Sequence, residues 1–174
     1  IPDPATRMSA MRTGKLDAMA MFGGYSQLRG AGALDNVESL KRSNPELVFE
    51  TMSYRSESSW SLNSQLPPFD DVNVRHAMQM ALDLDEINES FWLGYADTTP
   101  QGFLGVGMIG YVTPFADWPE ELKGYYTYDP EGAEALLDEA GYPRGADGVR
   151  FKTTLQHRDV IDLGYVEIAL AYLA

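Results

Sequence analysis

Between Val74 and Leu82 the apolar side chains fall at Val74, Ala77, Met78, Ala81 and Leu82. That i, i+3, i+4, i+7, i+8 spacing lays one stripe along a helix and turns it toward a core. Ahead of the stripe, Pro67 and Pro68 hold φ at about −65° and force the preceding residues into extended geometry. Asp70 and Asp71 follow, offering carboxylate oxygens to the unpaired N–H groups of a helix start and negative charge to its positive end. Asp83 and Glu86 repeat the device as a D-x-x-E start for a second helix carrying Ile87 and Phe91, which Gly94 ends. Asp129-Pro130 opens the clearest helix, with Ala133, Leu136, Leu137 and Ala140 on its inner face and Gly141 as its left-handed cap. Asp3-Pro4 does the same near the start, with Ala5, Met8 and Met11 inward and Gly14 beyond. Asn36 to Lys41 has the Val37/Leu40 spacing of a further helix, and a last one begins near Asp159.

Other stretches read as extended. Leu16 to Phe22 is a short apolar run broken by Gly23-Gly24, Leu47 to Ser53 and Ser58 to Asn63 are strand candidates, and Val149 to Gln156 alternates apolar and polar residues. The pattern predicts a mixed α/β (α+β) chain. From Tyr95 to Tyr128 periodicity fades into glycines, prolines and rings, among them Phe103, Tyr111, Phe115, Trp118, Tyr125 and Tyr126. A tether would be rich in Gly and Ser and poor in aromatics, so this is read as a long ordered loop packed on a lobe or lining a cavity.

Charge and composition narrow the function. The 174 residues are 44% hydrophobic, enough to bury a core, and carry a formal net charge of −13. Such acidity opposes binding to phosphate backbones or anionic lipid surfaces, which argues against a nucleic-acid partner. Cysteine is absent, which removes disulfides, thiolate metal sites and cysteine nucleophiles together. The longest weakly polar run, Gly102 to Val112, falls far short of the roughly 20 apolar residues of a membrane helix. The chain opens at Ile1 in mid-pattern and reads as a piece cut from something longer.

Catalytic and cofactor motifs are missing. His76 and His157 stand apart in sequence with no H-x-x-x-H or H-E-x-x-H spacing, so no metal is expected. The carboxylate groups Asp70/Asp71 and Asp83/Asp85/Glu86 sit at helix starts, and Glu134/Asp138/Glu139 on a solvent face, so capping rather than acid–base work is their expected role. Gly105-Val106-Gly107 gives a G-x-G without the strand–helix frame a nucleotide site needs. No catalytic residue and no cofactor is assigned. Ser58, Ser59, Trp60 and Ser61 differ: a tryptophan among hydroxyls, just before the proline corner, offers an apolar wall with hydrogen bonds around it. The alternative is an ordinary buried tryptophan.

Three blocks of this sequence resemble the family 5 extracellular solute-binding proteins, the dipeptide, oligopeptide and nickel receptors of ABC importers. MRTGKLDAM at Met11 to Met19 is similar to that family's R-x-G-x-(I/V/L)-D turn. SLNSQLPPFDDVNVRHAMQMALDLDEI at Ser61 to Ile87 is similar to its asparagine, P-P-F-x-D and V-R-x-A block, and YDPEGAEALLDEAGYPRG at Tyr128 to Gly145 to its Y-D-P-x-x-A-x-x-L-L-x-E-A-G-Y block. The blocks occur in the family's order.

The resemblance implies a type II periplasmic-binding-protein-like fold in part: residues 1–58 ending a first lobe, and residues 59–174 beginning a second. It implies a non-enzymatic receptor, periplasmic or extracellular, with lipoprotein anchoring open for the full-length parent. Its partners would be a peptide or other small solute and a membrane permease. By the same resemblance, Ser58, Ser59 and Trp60 line the cleft and the Phe22-Gly23 turn approaches from the first lobe; Phe103, one of the rings of the long loop, is counted with them as a ligand contact. Asn63 and Arg75 belong to the framework, with Arg75 expected to pair with Asp71 at i−4. A sensory or interaction module reusing the fold is the alternative, and a hydrolase built on the carboxylate pairs a weaker one. If it exists alone, the fragment should self-associate through exposed core.

Overall fold

The computed structural model describes residues 3–19, 33–50, 59–100, 108, 110–157 and 163–174. The chain divides into two compact units, one of Ile1–Met52 with Gln156–Val166 and one of Ser53–Leu155 with Glu167–Ala174.

In the first unit, α1 spans Pro4–Arg12 and α2 spans Ala33–Ser43. Asp3 caps α1 by accepting from Thr6 N at 2.7 Å, and the Thr6 hydroxyl donates to the same carboxylate oxygen. These bonds hold the Asp3 carboxyl below the usual carboxylate range. Met8 of α1 and Leu40 of α2 are buried, whereas Ala5, expected inward, is exposed. Two polar contacts tie the helix ends: Arg12 Nη2 donates to Ser39 Oγ at 2.8 Å, and Asn44 Nδ2 to the Arg12 carbonyl at 3.3 Å.

The second unit is organised by α3, Val72–Met80, and α6, Pro130–Glu139. Both have small residues where they meet, Ala77 and Ala133, which lets the backbones approach while Met80 fills the space beside them. Ala81, Tyr125, Leu136 and Leu137 complete this cluster. Val74 is fully buried as the spacing predicted, and Met80 joins the buried face although the predicted stripe omitted it. Asp129 does two jobs at the junction: its backbone N–H donates to the Met80 carbonyl at 2.9 Å, and its side chain caps α6 through Gly132 N at 2.9 Å. A Cβ at Gly132 would overlap Asp129 Oδ2 and stand 2.9 Å from Met80 Cε, so a larger residue would displace the cap carboxylate and the end of the Met80 side chain.

Between these helices, Asp83 caps the short α4, Leu84–Ile87, through Glu86 N at 2.9 Å. The helix then widens into a π turn, Asn88–Trp92, that ends with Leu93 and Gly94 both at positive φ, 53° and 75°. Asn88 pins this end from both sides, accepting from Ala96 N at 2.9 Å and donating to Ala96 O at 3.1 Å. Ile87 and Phe91 are buried, as expected. A 3-10 turn, Phe115–Asp117, and α5, Glu120–Gly124, add regular structure to the aromatic stretch for which the sequence predicts a loop. The last helix, α7, is Leu163–Tyr172, and its Tyr172 hydroxyl donates to the Glu86 carboxylate. Burial and that carboxylate push the Tyr172 phenol up.

The α/β expectation is met in its helices and not in its strands. Among the described residues, Leu16 to Met19, Leu47 to Glu50, Ser59 to Asn63 and Val149 to Gln156 form no ladder. Alternation makes a segment suited to extended backbone, but a strand also requires a neighbour to exchange N–H and C=O bonds, and none is paired here. The remainder of the first three predicted strands lies outside the described residues.

Candidate functional site

The corner before α3 is the best-defined feature near the residues proposed for ligand. Asn63 begins it: its side-chain oxygen accepts from Gln65 N at 3.1 Å and its carbonyl from Leu66 N at 3.2 Å. The Leu66 carbonyl then accepts from both Phe69 N at 3.0 Å and Asp70 N at 3.1 Å, across a cis Pro67–Pro68 bond. Pro68 is buried, and the half-buried Phe69 ring stands edge-on to Phe151 at 6.2 Å, which in turn meets Tyr142 at 5.5 Å. Ser59 and Trp60 lie on the irregular segment entering this corner, Ser59 exposed and Trp60 half-buried. Phe22, Gly23, Ser58 and Phe103 lie outside the described residues.

Arg75 belongs to the framework, but not through the partner expected. Its Nη1 donates to the carbonyls of Phe69 at 2.6 Å and Asp70 at 3.1 Å. Asp71 instead caps α3, accepting from Asn73 N at 2.7 Å. The reason is local: the corner leaves two carbonyls without backbone partners beside the helix start, while the nearest carboxylate is already used. Arg75 therefore clamps the corner to the helix.

The carboxylates are structural. Asp71, Asp83 and Asp129 cap helices. Glu134 and Asp138 lie on the exposed face of α6, as predicted, and there they also pair with two arginines. Arg144 Nη2 donates to Glu134 at 2.6 Å; Arg150 donates to Glu134 at 3.3 Å, to Asp138, and to the Tyr142 carbonyl at 2.7 Å. The Arg144 bond, reinforced by its charge, holds the Glu134 carboxyl below its usual range. With its side chain only 9% exposed, Arg150 ties the chain after Gly141 onto α6. Gly141 permits that reversal with φ of 86°.

Of the two histidines, His157 is exposed, and His76 is half-buried with its ring stacked on Tyr125 at 3.7 Å. No group of three or more His, Asp or Glu side chains among the described residues is arranged to hold a metal ion. The His76–Tyr125 pair was not visible in the sequence, because 48 intervening positions carry no periodic signal linking them.

A corner of two prolines clamped by an arginine to a capped helix, and a second capped helix closing on it, are the folded forms of the sequence blocks from Ser61 to Ile87 and Tyr128 to Gly145. The chain belongs to the bacterial extracellular solute-binding proteins, family 5, whose model matches residues 1–173. Its fold is accordingly periplasmic-binding-protein-like. Among curated relatives, it is 29% identical to heme-binding protein A of Haemophilus influenzae over 145 residues, covering 83% of this chain and 23% of that protein. It is 39% identical to the dipeptide-binding protein of Escherichia coli over 85 residues, 49% of this chain and 14% of that one. To glutathione-binding protein GsiB of Pectobacterium atrosepticum it is 38% identical over 95 residues, 55% of this chain and 16% of that one. The matched part thus spans less than a quarter of each of these relatives. The family and these relatives are binding proteins rather than enzymes. No solved structure matches the chain. No helix among the described residues is long and apolar enough to cross a membrane.

Proposed function

We propose that this chain is part of the solute-binding component of an ABC importer, which captures a peptide or other small solute between two lobes and delivers it to a membrane permease. The observation that carries this reading is the family match from residue 1 to residue 173. Relatives named for binding dipeptide, glutathione and heme support a small solute as ligand and leave its class to experiment. The parent works outside the cytoplasmic membrane, periplasmic or extracellular, with a lipid anchor as one way of holding it there.

Residues 1–58 would close the first lobe and residues 59–174 open the second; the division near Met52 supports the first boundary, while Gln156–Val166 groups with the first unit. Ser59 and Trp60, with Ser58, would form a cleft wall of small hydroxyls and one large ring. Phe22-Gly23 and Phe103 would meet the solute from other segments. The clamped corner gives such a wall a fixed base, since Arg75 and the buried Pro68 immobilise the chain a few residues downstream.

The test is a thermal-shift and tryptophan-fluorescence titration of the full-length protein with di- and tripeptides, glutathione, heme and sugars. A true ligand at a hundred times its Kd stabilises by about 2.7 kcal/mol. Stabilisation by one class, weakened when Trp60 is replaced by Ala, is the expected result. A protein stabilised by none of them overturns the reading.

A further inference from the structure

His76 stands midway along α3, and its ring lies nearly parallel to that of Tyr125, with centroids 3.7 Å apart and planes 16° from parallel. Its Nδ1 is closed off from solvent and has no hydrogen-bond partner among the described residues. Tyr125 caps the C-terminal end of α5 and also packs on the cluster of Ala77, Met80 and Ala133. One imidazole therefore joins the α3–α6 pair to the short helix beside it.

The chemistry of this seat favours the neutral ring. With the proton on Nε2, Nδ1 is a bare lone pair, which is tolerable in a dry pocket. Protonation places an N–H donor where nothing described accepts it, and a positive charge beside Arg75. The face of Tyr125 attracts a cation and works the other way. Burial, followed by the Arg75 charge, prevails and holds the His76 imidazole below its usual value of 6.5. On the neighbouring elements, Lys123 of α5 pairs with Glu120, Glu134 and Asp138 of α6 pair with Arg144 and Arg150, and Glu121, Glu131 and Glu139 are exposed to solvent. Tyr125 is the titratable group in ring contact.

We propose that His76 is an acid-operated joint: neutral, it seats Tyr125 and α5 on the α3–α6 pair, and protonated, it releases them while the pair stays packed. The released form binds a proton more readily than the seated one. Seating is therefore complete above the ordinary histidine value, weakens as pH falls below it, and reaches its full loss below the depressed value of the seated ring. The segment freed is the one that carries the Phe115, Trp118 and Tyr126 rings.

Hydrogen exchange of the full-length protein at pH 8 and pH 5, corrected for intrinsic rates, tests this without any ligand, so the result is independent of the solute-binding reading. Peptides covering residues 118–128 should exchange several-fold faster at pH 5, while those covering 72–80 should not. His76→Phe keeps a flat ring on Tyr125 and cannot titrate, so its 118–128 segment should stay protected at both pH values. An unchanged wild-type segment, or the same acid response in His76→Phe, overturns the proposal. Should that variant fail to fold, a ring-proton NMR titration of His76 replaces it: Tyr125→Ala opens the imidazole to water and, burial being the larger cause, should move the histidine back toward 6.5, and no movement would sink the idea.

Discussion

Helices α1 and α6 begin alike. In each an aspartate accepts a backbone N–H three residues on, Asp3 from Thr6 at 2.7 Å and Asp129 from Gly132 at 2.9 Å, and a proline occupies the first turn. They part at the third helical residue. In α1 Thr6 adds its hydroxyl to the cap carboxylate, and the arrangement is self-sufficient and exposed. In α6 that position is Gly132, stripped of its side chain so that Met80 of α3 can lie against the backbone. The same local signal thus starts a helix in both places, and the side chain withheld at Gly132 decides which start is also a tertiary joint.

Exchanging the two residues would break that contrast most severely. Gly132→Thr puts a branched side chain into space held by Met80 Cε and the Asp129 carboxylate, and should destabilise the second unit by about 3 kcal/mol, read by urea unfolding. Next comes the far end of α6, where Arg150→Met removes the donors to Glu134, Asp138 and the Tyr142 carbonyl; about 2 kcal/mol is expected by the same measurement. Removing the caps themselves should cost about 1 kcal/mol in either helix. The difference should lie in where the loss is felt. Asp129→Ala keeps the backbone bond to Met80 and should speed hydrogen exchange in the first turn of α6, at the foot of the α3 contact, whereas Asp3→Ala should speed it in the exposed first turn of α1. The reverse exchange, Thr6→Gly, should cost about 0.5–1 kcal/mol from helix propensity. Smallest is the acid response of Glu134. Its carboxyl is lowered in the fold by Arg144, so its contribution is present above the ordinary value of 4.5 and disappears as pH falls through the depressed one. Arg144→Gln should flatten that part of the stability profile.

What could be read from sequence is local chemistry. Asp3, Asp71, Asp83 and Asp129 cap as expected, and Gly14, Gly94 and Gly141 take the positive φ that ends their helices, because each depends on neighbours a few residues away. What escaped depends on distant partners. Arg75 was assigned to Asp71 by i−4 spacing, yet the proline corner brings two unpaired carbonyls nearer. Glu134 and Asp138 are exposed as the helix pattern predicts, but their ion pairs with Arg144 and Arg150 depend on the chain after Gly141 doubling back. The π turn at Asn88–Trp92 is accompanied by Asn88 gripping Ala96, a contact that no periodicity encodes. For the site, the blocks around Ser61 to Ile87 and Tyr128 to Gly145 carry the family, whereas Ser59 and Trp60 belong to no motif and show only an exposed hydroxyl beside a half-buried ring.

The bond from Asp129 N–H to the Met80 carbonyl joins two backbone points 49 residues apart in the chain. It knots the chain at the foot of everything between Ala81 and Tyr128, so the departing and returning strands of that excursion meet whatever its contour. Lengthening an already long closed loop adds only logarithmically to its entropy cost, about 0.6 kcal/mol per doubling. The stretch around Asp97 and Thr98 is therefore a place where this architecture can absorb insertions, and so change what it presents to the outside, while the two helices below keep their register.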